Sequence, residues 1–296
     1  MRAFLAEYTV FHDPDLAVEG RAMLKILSES FARCGYEVVC PRGGDLMAEI
    51  EDMAPDCDVG LVIAPDRLLA PLTKKLEDCT HNIGCGSMNV ALCANKKRSL
   101  QVLAAHGIPV PAEKTDGLKV VKPIRGCDTY NTRLTEAAPG PDEIGQEYIE
   151  GEPLSVSLIG SRIVGEACLY FSGAGPLVLS LNRQKITLGE DGYFAYHGGE
   201  TPVDHPMKDE IVRTAVQAAM VLGCQGYVGV DLVVGDRPYV LEVNPRMTTS
   251  MVGIAACMEE EIADLLVDAS CGKVPADGVH LKGRVEFDRE GRVMLL

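Results

Sequence analysis

Read from the N-terminus, the chain alternates short apolar runs with amphipathic stretches. Residues 2–8, RAFLAEY, have the length and composition of a strand. In AVEGRAMLKILSESFARCG (17–35), Met23, Ile26, Leu27, Phe31 and Cys34 recur at helical spacing, and Gly35 ends the run. YEVVC (36–40) and DVGLVIAP (58–65) predict two more buried strands, separated by a polar helical stretch. Strands that alternate with helices predict a small parallel α/β unit.

The pattern then changes. NKKRSLQVLAAHGIPVP (95–111) predicts a short amphipathic helix stopped by Gly107, with Pro109 and Pro111 as breakers, so a boundary is expected near residue 93. LKVVKPIRGCDTY (118–130) predicts a strand that ends on Lys122 and Pro123 and opens into a loop. Two or three strands are expected in 145–171. A helix follows in HPMKDEIVRTAVQAAMVLG (205–223), with Pro206 near its start and Gly223 at its end. An apolar hairpin is expected at 226–246, a helix at 258–270 and a last hairpin at 283–295. Three units result, 1–92, 93–145 and 146–296, and the fold class expected is α/β followed by α+β.

Composition narrows the possibilities. At 296 residues the chain can bury a substantial core, and 47% hydrophobic with 24% charged residues is ordinary for a globular protein. No apolar run approaches the roughly 20 residues of a membrane helix, and the first residues lack a secretory h-region, so no membrane partner and a cytoplasmic location are expected. A formal charge of −15 argues against a nucleic-acid partner. It leaves room for a small anion held in a local cationic pocket. The eleven cysteines contain no C-x-x-C pair, and Cys79, Cys85 and Cys93 have no zinc-like histidine spacing beside them. Reduced, packed thiols are expected.

The chemistry concentrates in GYVGVDLVVGDRPYVLEVNPR (226–246). Asp231, Glu242 and Asn244 interrupt two otherwise apolar runs. Alternation along a strand puts Glu242 and Asn244 on one face and Tyr239, Leu241 and Val243 on the other. A turn centred on Asp236 and Arg237 pairs Asp231 with Glu242, about 5 Å apart at Cβ. Two facing carboxylates repel unless a cation neutralises them. Magnesium at nucleotide sites takes one or two carboxylates together with phosphate and water oxygens, and Asn244 adds a neutral oxygen. A polar strand edge facing solvent is the alternative. An anionic partner for such a metal would need cations. Lys122 at a strand end, Lys96 at a helix start, and Arg183, Lys185 and Arg246 form a possible cationic ring; each alone also reads as a solvated side chain.

In order along the chain, NK (95–96), VVKP (120–123), QEYIEGEPLSVSLI (146–159) and DLVV with YVLEVNPR (231–246) resemble the ATP-grasp superfamily of carboxylate–amine ligases, most closely a small archaeal-type branch. The resemblance implies an ATP-grasp fold behind an N-terminal Rossmann-like domain. It implies that Lys96 and Lys122 contact ATP phosphates, and that Gln146, Glu147, Tyr148 and Ile149 form the adenine hinge. Glu152 would meet the ribose, Lys185 would assist in nucleotide binding, and Arg183 would assist catalysis with Lys122. Asp231, Glu242 and Asn244 would hold Mg2+ or Mn2+, and Arg246 would face the reacting carboxyl group. Substrates would be a small carboxylate and an amine, and the assembly a homodimer. The loop IRGCDTYN (124–131) departs from the family's glycine- and serine-rich lid, carrying Asp128 and leaving Arg125 or a substrate to assist closure. His81, His197 and His205 read as surface residues, while Tyr8 and MTTS (247–250) are candidate substrate contacts. A ligase for other amino acids, a peptide or bicarbonate, and a non-catalytic nucleotide-binding regulator, remain open.

Overall fold

The computed structural model describes residues 1–126, 129, 131–161 and 175–296; Asp128 lies outside them. In the first unit, β1 (Arg2–Glu7), β2 (Glu37–Val39), β3 (Val59–Ile63) and β4 (His81–Asn82) form a parallel sheet in the order β2-β1-β3-β4. Around it pack α1 (Thr9–His12), α2 (Ala17–Arg33), α3 (Leu46–Met53) and α4 (Asp66–Cys79). In α2, Met23, Leu27 and Phe31 are buried as their spacing predicts, and Gly35 at φ +83° closes the helix in a conformation that other residues resist. Asp45 caps α3 by accepting from the Met47 and Ala48 amides. The chain leaves β1 for β2 on one side and then returns to β3 on the other. The crevice between β1 and β3 is therefore a topological switch point, the place where open parallel sheets collect ligands. Glu7 ends β1, and Asp66 follows β3 by three residues.

Helices α5 (Ser87–Cys93) and α6 (Lys96–Ala105) lead into an antiparallel sheet of β5 (Lys119–Pro123), β6 (Arg133–Thr135) and β7 (Glu143–Gln146), ordered β6-β5-β7. The third sheet is larger and also antiparallel. It contains β8 (Glu152–Gly160), β9 (Leu177–Leu188), β10 (Phe194–Thr201), β11 (Gly226–Val234), β12 (Pro238–Asn244), β13 (Val285–Phe287) and β14 (Val293–Leu295), in the order β12-β11-β8-β9-β10-β13-β14. Helices α7 (Lys208–Val221), α8 (Ser250–Cys257) and α9 (Ile262–Ser270) cover it.

One apolar core joins the first and third sheets. Phe4, Val62 and Leu72 share a cluster with Val90 and Leu103 of α5 and α6 and with Leu154, Val156 and Val228 of the large sheet. The backbones also meet directly. Gly226 opens β11 at φ +61°, and a Cβ there would lie 2.7 Å from the Gly84 Cα. That approach fixes the start of β11 against the first sheet, and with it the strand that carries Asp231.

Candidate active site

The β11–β12 connection differs from the expected two-residue turn. Val234 pairs with Pro238, leaving residues 235–237 as a three-residue loop. By itself this would shift the register. A bulge corrects it: Leu232 pairs with Val240 while Asp231 pairs with Glu242, so Leu241 is the extra residue. The two acids therefore face each other as the spacing predicted, by a different backbone route. The bulge also ends strict alternation, and Leu241, Glu242 and Asn244 all border the same cavity. The Leu241 carbonyl accepts from Lys122 Nζ at 2.9 Å, which aims the ammonium of β5 across at β12.

Each oxygen of Asp231 accepts an amide N–H at 2.9 Å, Oδ1 from Gln184 Nε2 and Oδ2 from Asn244 Nδ2. Burial and the facing Glu242 nevertheless push its carboxyl up to about 7. Burial acts on Lys122 in the opposite sense. Its ammonium is lowered to about 8, with Glu242 opposing the drop and Lys96 adding to it. Lys96, the first residue of α6, is only 4% exposed. Its Nζ lies 2.8 Å from Glu242 Oε1 and 3.4 Å from Asp66 Oδ2, and it donates to the Gly126 carbonyl. Burial works against that charge, but Glu242 and Asp66 outweigh it, and the pKa of Lys96 stands above the ordinary lysine value. Arg246 Nε lies 3.9 Å from the other oxygen of Asp66.

Lys122, Gln184, Asp231, Leu241, Glu242, Asn244 and Arg246 border a cavity of about 400 Å³, with Lys96 paired to Glu242 and Asp66 beside Lys96 and Arg246. At one end lies the hinge, Gln146, Glu147, Tyr148 and Ile149. The Gln146 side chain donates to the Pro111 carbonyl and the Glu147 amide to Ala112 O. Beside the hinge, β9 and β10 supply two cross-strand pairs, Ile186 with Tyr196 and Leu188 with Phe194, all bordering the cavity. With Val120, Val233 and Leu241 they line an apolar part of the cavity. The other end, at the switch point of the first sheet, is lined by Glu7, Thr9, Glu19, Met23 and Thr248–Ser250. Glu7 is buried and accepts from Thr9 Oγ1 and the Val10 amide; burial raises its pKa.

Of the residues singled out in the sequence, Lys96 meets Glu242, and Lys122, Gln146–Ile149, Asp231, Glu242, Asn244 and Arg246 all line the cavity. Arg183, Lys185 and Glu152 do not. Alternation along β9 turns Gln184 and Ile186 inward and Arg183 and Lys185 to the opposite face. There Arg183 pairs with Glu152 at 2.6 Å and Glu200 at 3.3 Å, and Lys185 with Glu286 at 2.6 Å. Among the described residues, Lys122 and Arg246 are the cations that line the cavity, and Lys96 stands behind Glu242. His205 stands 3.7 Å from Glu152 in that outer network, His197 bonds Thr187, and His81 bonds Ser270. Tyr8 stacks on His12 instead of facing the cavity. Gln184, Asp66, Glu7 and the Ile186–Phe194 slot went unread in the sequence. Inward alternation of Gln184, Ile186 and Leu188 was the available signal.

Asp231, Glu242 and Asn244 offer two carboxylates and one amide oxygen. Among the described residues no group of three or more His, Cys, Asp or Glu could hold a metal ion by itself. Such a donor set suits a hard divalent cation that takes its remaining ligands from phosphate and water, and does not suit a soft metal. Burial and the repulsion from Glu242, which together raise Asp231, are what such a cation would offset. The nine described cysteines are free of disulfides; Cys93 and Cys224 share a thiol hydrogen bond, 3.7 Å apart at sulfur. No helix among the described residues is long and apolar enough to cross a membrane.

A family model described as an ATP-grasp domain matches residues 93–250. Over 215 residues the chain is 35% identical to a tyramine–L-glutamate ligase of Methanocaldococcus fervens and 33% identical to one of Methanocaldococcus jannaschii. Both matches take in 71% of this chain and 65% and 62% of the relatives, so the chain spans under two thirds of their length. Among solved structures it is similar to a protein of Archaeoglobus fulgidus assigned to the ATP-grasp superfamily, with a TM-score of 0.78 and 29% identity over 97% of this chain and 92% of that one.

Proposed function

The chain belongs to the ATP-grasp family, and from that premise we propose that it is an ATP-dependent carboxylate–amine ligase. ATP phosphorylates a carboxylate, an amine displaces phosphate from the resulting acyl phosphate, and an amide, ADP and phosphate leave. L-Glutamate and tyramine are the substrates proposed, on the strength of the two ligases at 33–35% identity. The observation that carries the reaction class is a single cavity in which Lys122 and Arg246 stand around Asp231, Glu242 and Asn244, with buried Lys96 paired to Glu242, between an apolar slot and the ligand crevice of an α/β sheet.

Each part has a role in this reading. The slot between the hinge and Ile186–Phe194 takes the adenine ring, whose amino group meets the Glu147 carbonyl. Lys96 and Lys122 draw the phosphates inward, and the low dielectric that depresses Lys122 strengthens its pull on an anion. Asp231, Glu242 and Asn244 would hold one or two magnesium or manganese ions. A divalent cation there supplies charge neutralisation for the transferred phosphoryl group. Arg246 turns toward the reacting carboxyl group and steadies the oxyanion formed when the amine attacks. The small antiparallel sheet closes over the cavity to exclude water, which would hydrolyse an acyl phosphate. No nucleophile of the chain is required.

The remaining expectations extend the proposal: units at 1–92, 93–145 and 146–296, a homodimer and a cytoplasmic site of action. Dependence on ATP and unpaired thiols support the location; light scattering tests the dimer. The function is tested by ADP release with magnesium, ATP, tyramine and L-glutamate. Release that needs both partners is expected. Equal release without the amine would count as ATPase activity and against a ligase.

A further inference from the structure

Asp66 opens α4 at the edge of the first sheet and is 6% exposed. It belongs to none of the motifs that carry the family resemblance. Its two oxygens serve two cations, with Oδ2 3.4 Å from Lys96 Nζ and Oδ1 3.9 Å from Arg246 Nε. Lys96 has a second carboxylate in Glu242, at 2.8 Å. Glu242 is thus engaged twice over: it is the counter-ion of a buried ammonium and, in the proposed function, a ligand for a divalent cation.

These two duties conflict. An ammonium that is 4% exposed cannot lose its counter-charge without a large desolvation cost. Were Glu242 its sole carboxylate, turning Glu242 toward a cation would leave Lys96 dependent on the incoming phosphates alone for counter-charge, and unheld until they arrive. We propose that Asp66 is a positioning residue which anchors Lys96 and Arg246 from the first unit, so that Glu242 can exchange Lys96 for a divalent cation when nucleotide enters. The anchoring reaches the small sheet as well, because Lys96 donates from Nζ to the Gly126 carbonyl and from its amide to Ile124 O. The inference rests on the proposed function only in naming the new partner of Glu242.

The test is calorimetric binding of the non-hydrolysable nucleotide AMP-PNP, with magnesium and with EDTA, to the wild-type chain and to Asp66→Asn. Asparagine keeps the side chain's shape and removes its charge. Magnesium should tighten AMP-PNP binding to the wild type. In Asp66→Asn that tightening should fall at least tenfold, while affinity in EDTA stays level or improves, since a negative charge has left the phosphate end. Asp66→Glu should restore most of the magnesium effect. A purely structural Asp66 would weaken both conditions alike, lower the melting temperature and gain nothing from glutamate. Undiminished magnesium tightening in Asp66→Asn overturns the proposal. Asp66→Ser, which keeps a polar group at the start of α4, is read in the same way if the asparagine variant does not fold. The two readings separate cleanly. A wild type that binds magnesium and AMP-PNP but forms no amide ends the ligase reading and leaves Asp66 assigned, whereas a wild type that magnesium does not tighten overturns both.

Discussion

Replacing Asp231 by asparagine should make the ligand-free protein more stable while removing a ligand of the proposed magnesium site. In the native chain the carboxylate pays a burial cost and faces Glu242, and its pKa stands at about 7 against 3.8 for a free side chain. At 1.36 kcal/mol per pH unit that difference amounts to roughly 4 kcal/mol held against the ionised form. Asp231 borders the cavity, where water screens it, so about 1–2 kcal/mol is the part expected to appear as stability. The direction with pH follows from the raised value. Between the unfolded and folded pKa values the folded state binds a proton that the unfolded state lacks, so wild-type stability falls as pH rises from about 4 to 7 and stays low above. Asparagine removes that dependence, and Gln184 can rotate its own amide to meet the new N–H. Thermal melting in EDTA should therefore show Asp231→Asn about 2–6 °C above the wild type at pH 8, with the gain more than halved at pH 5. Added magnesium and AMP-PNP should raise the melting temperature of the wild type only. An asparagine variant that melts lower at pH 8, or gains equally at both pH values, would refute the reasoning that burial and the facing Glu242 disfavour the ionised Asp231.

The same two groups set an expected pH profile. kcat/KM for ATP should rise through about 7 as Asp231 ionises and fall above about 8 as Lys122 loses its proton; a flat profile from 6 to 9 would contradict it. Lys122→Ala should weaken AMP-PNP binding by about 10–100-fold, the range expected for a hydrogen bond to a charged group in a dry site, and unchanged affinity by calorimetry would remove Lys122 from the phosphate site. Arg183→Ala should alter nucleotide affinity less than about twofold and cost at most about 1 kcal/mol in melting experiments, because its partners Glu152 and Glu200 lie on the outer face. A large loss of affinity would return Arg183 to the cavity.

What the sequence revealed follows a physical divide. Asp231, Glu242 and Asn244 were legible because acids in apolar strands violate a local pattern, and strand pairing converts their spacing into proximity. The route was not legible. Whether residues 235–237 form a three-residue loop, and whether Leu241 bulges to compensate, is decided by backbone geometry that several sequences satisfy equally. Arg183 and Lys185 were drawn toward the site by charge alone. Their face follows from alternation along β9, where Gln184, Ile186 and Leu188 take the inward positions, a signal that charge alone overrode. Glu7 and Asp66 lay further from reach. Each looks like an ordinary strand end or helix start, and only packing of the first sheet against β11, through the Gly84–Gly226 approach, carries Glu7 to the cavity and Asp66 to Lys96 and Arg246.

The most direct test of the central claim follows oxygen. With L-glutamate labelled by 18O in its carboxylates, tyramine, ATP and magnesium, phosphorylation of the reacting carboxyl group transfers one labelled oxygen to the phosphate released. The account predicts 18O-phosphate in one-to-one proportion with the amide. Amide formed alongside unlabelled phosphate would contradict it.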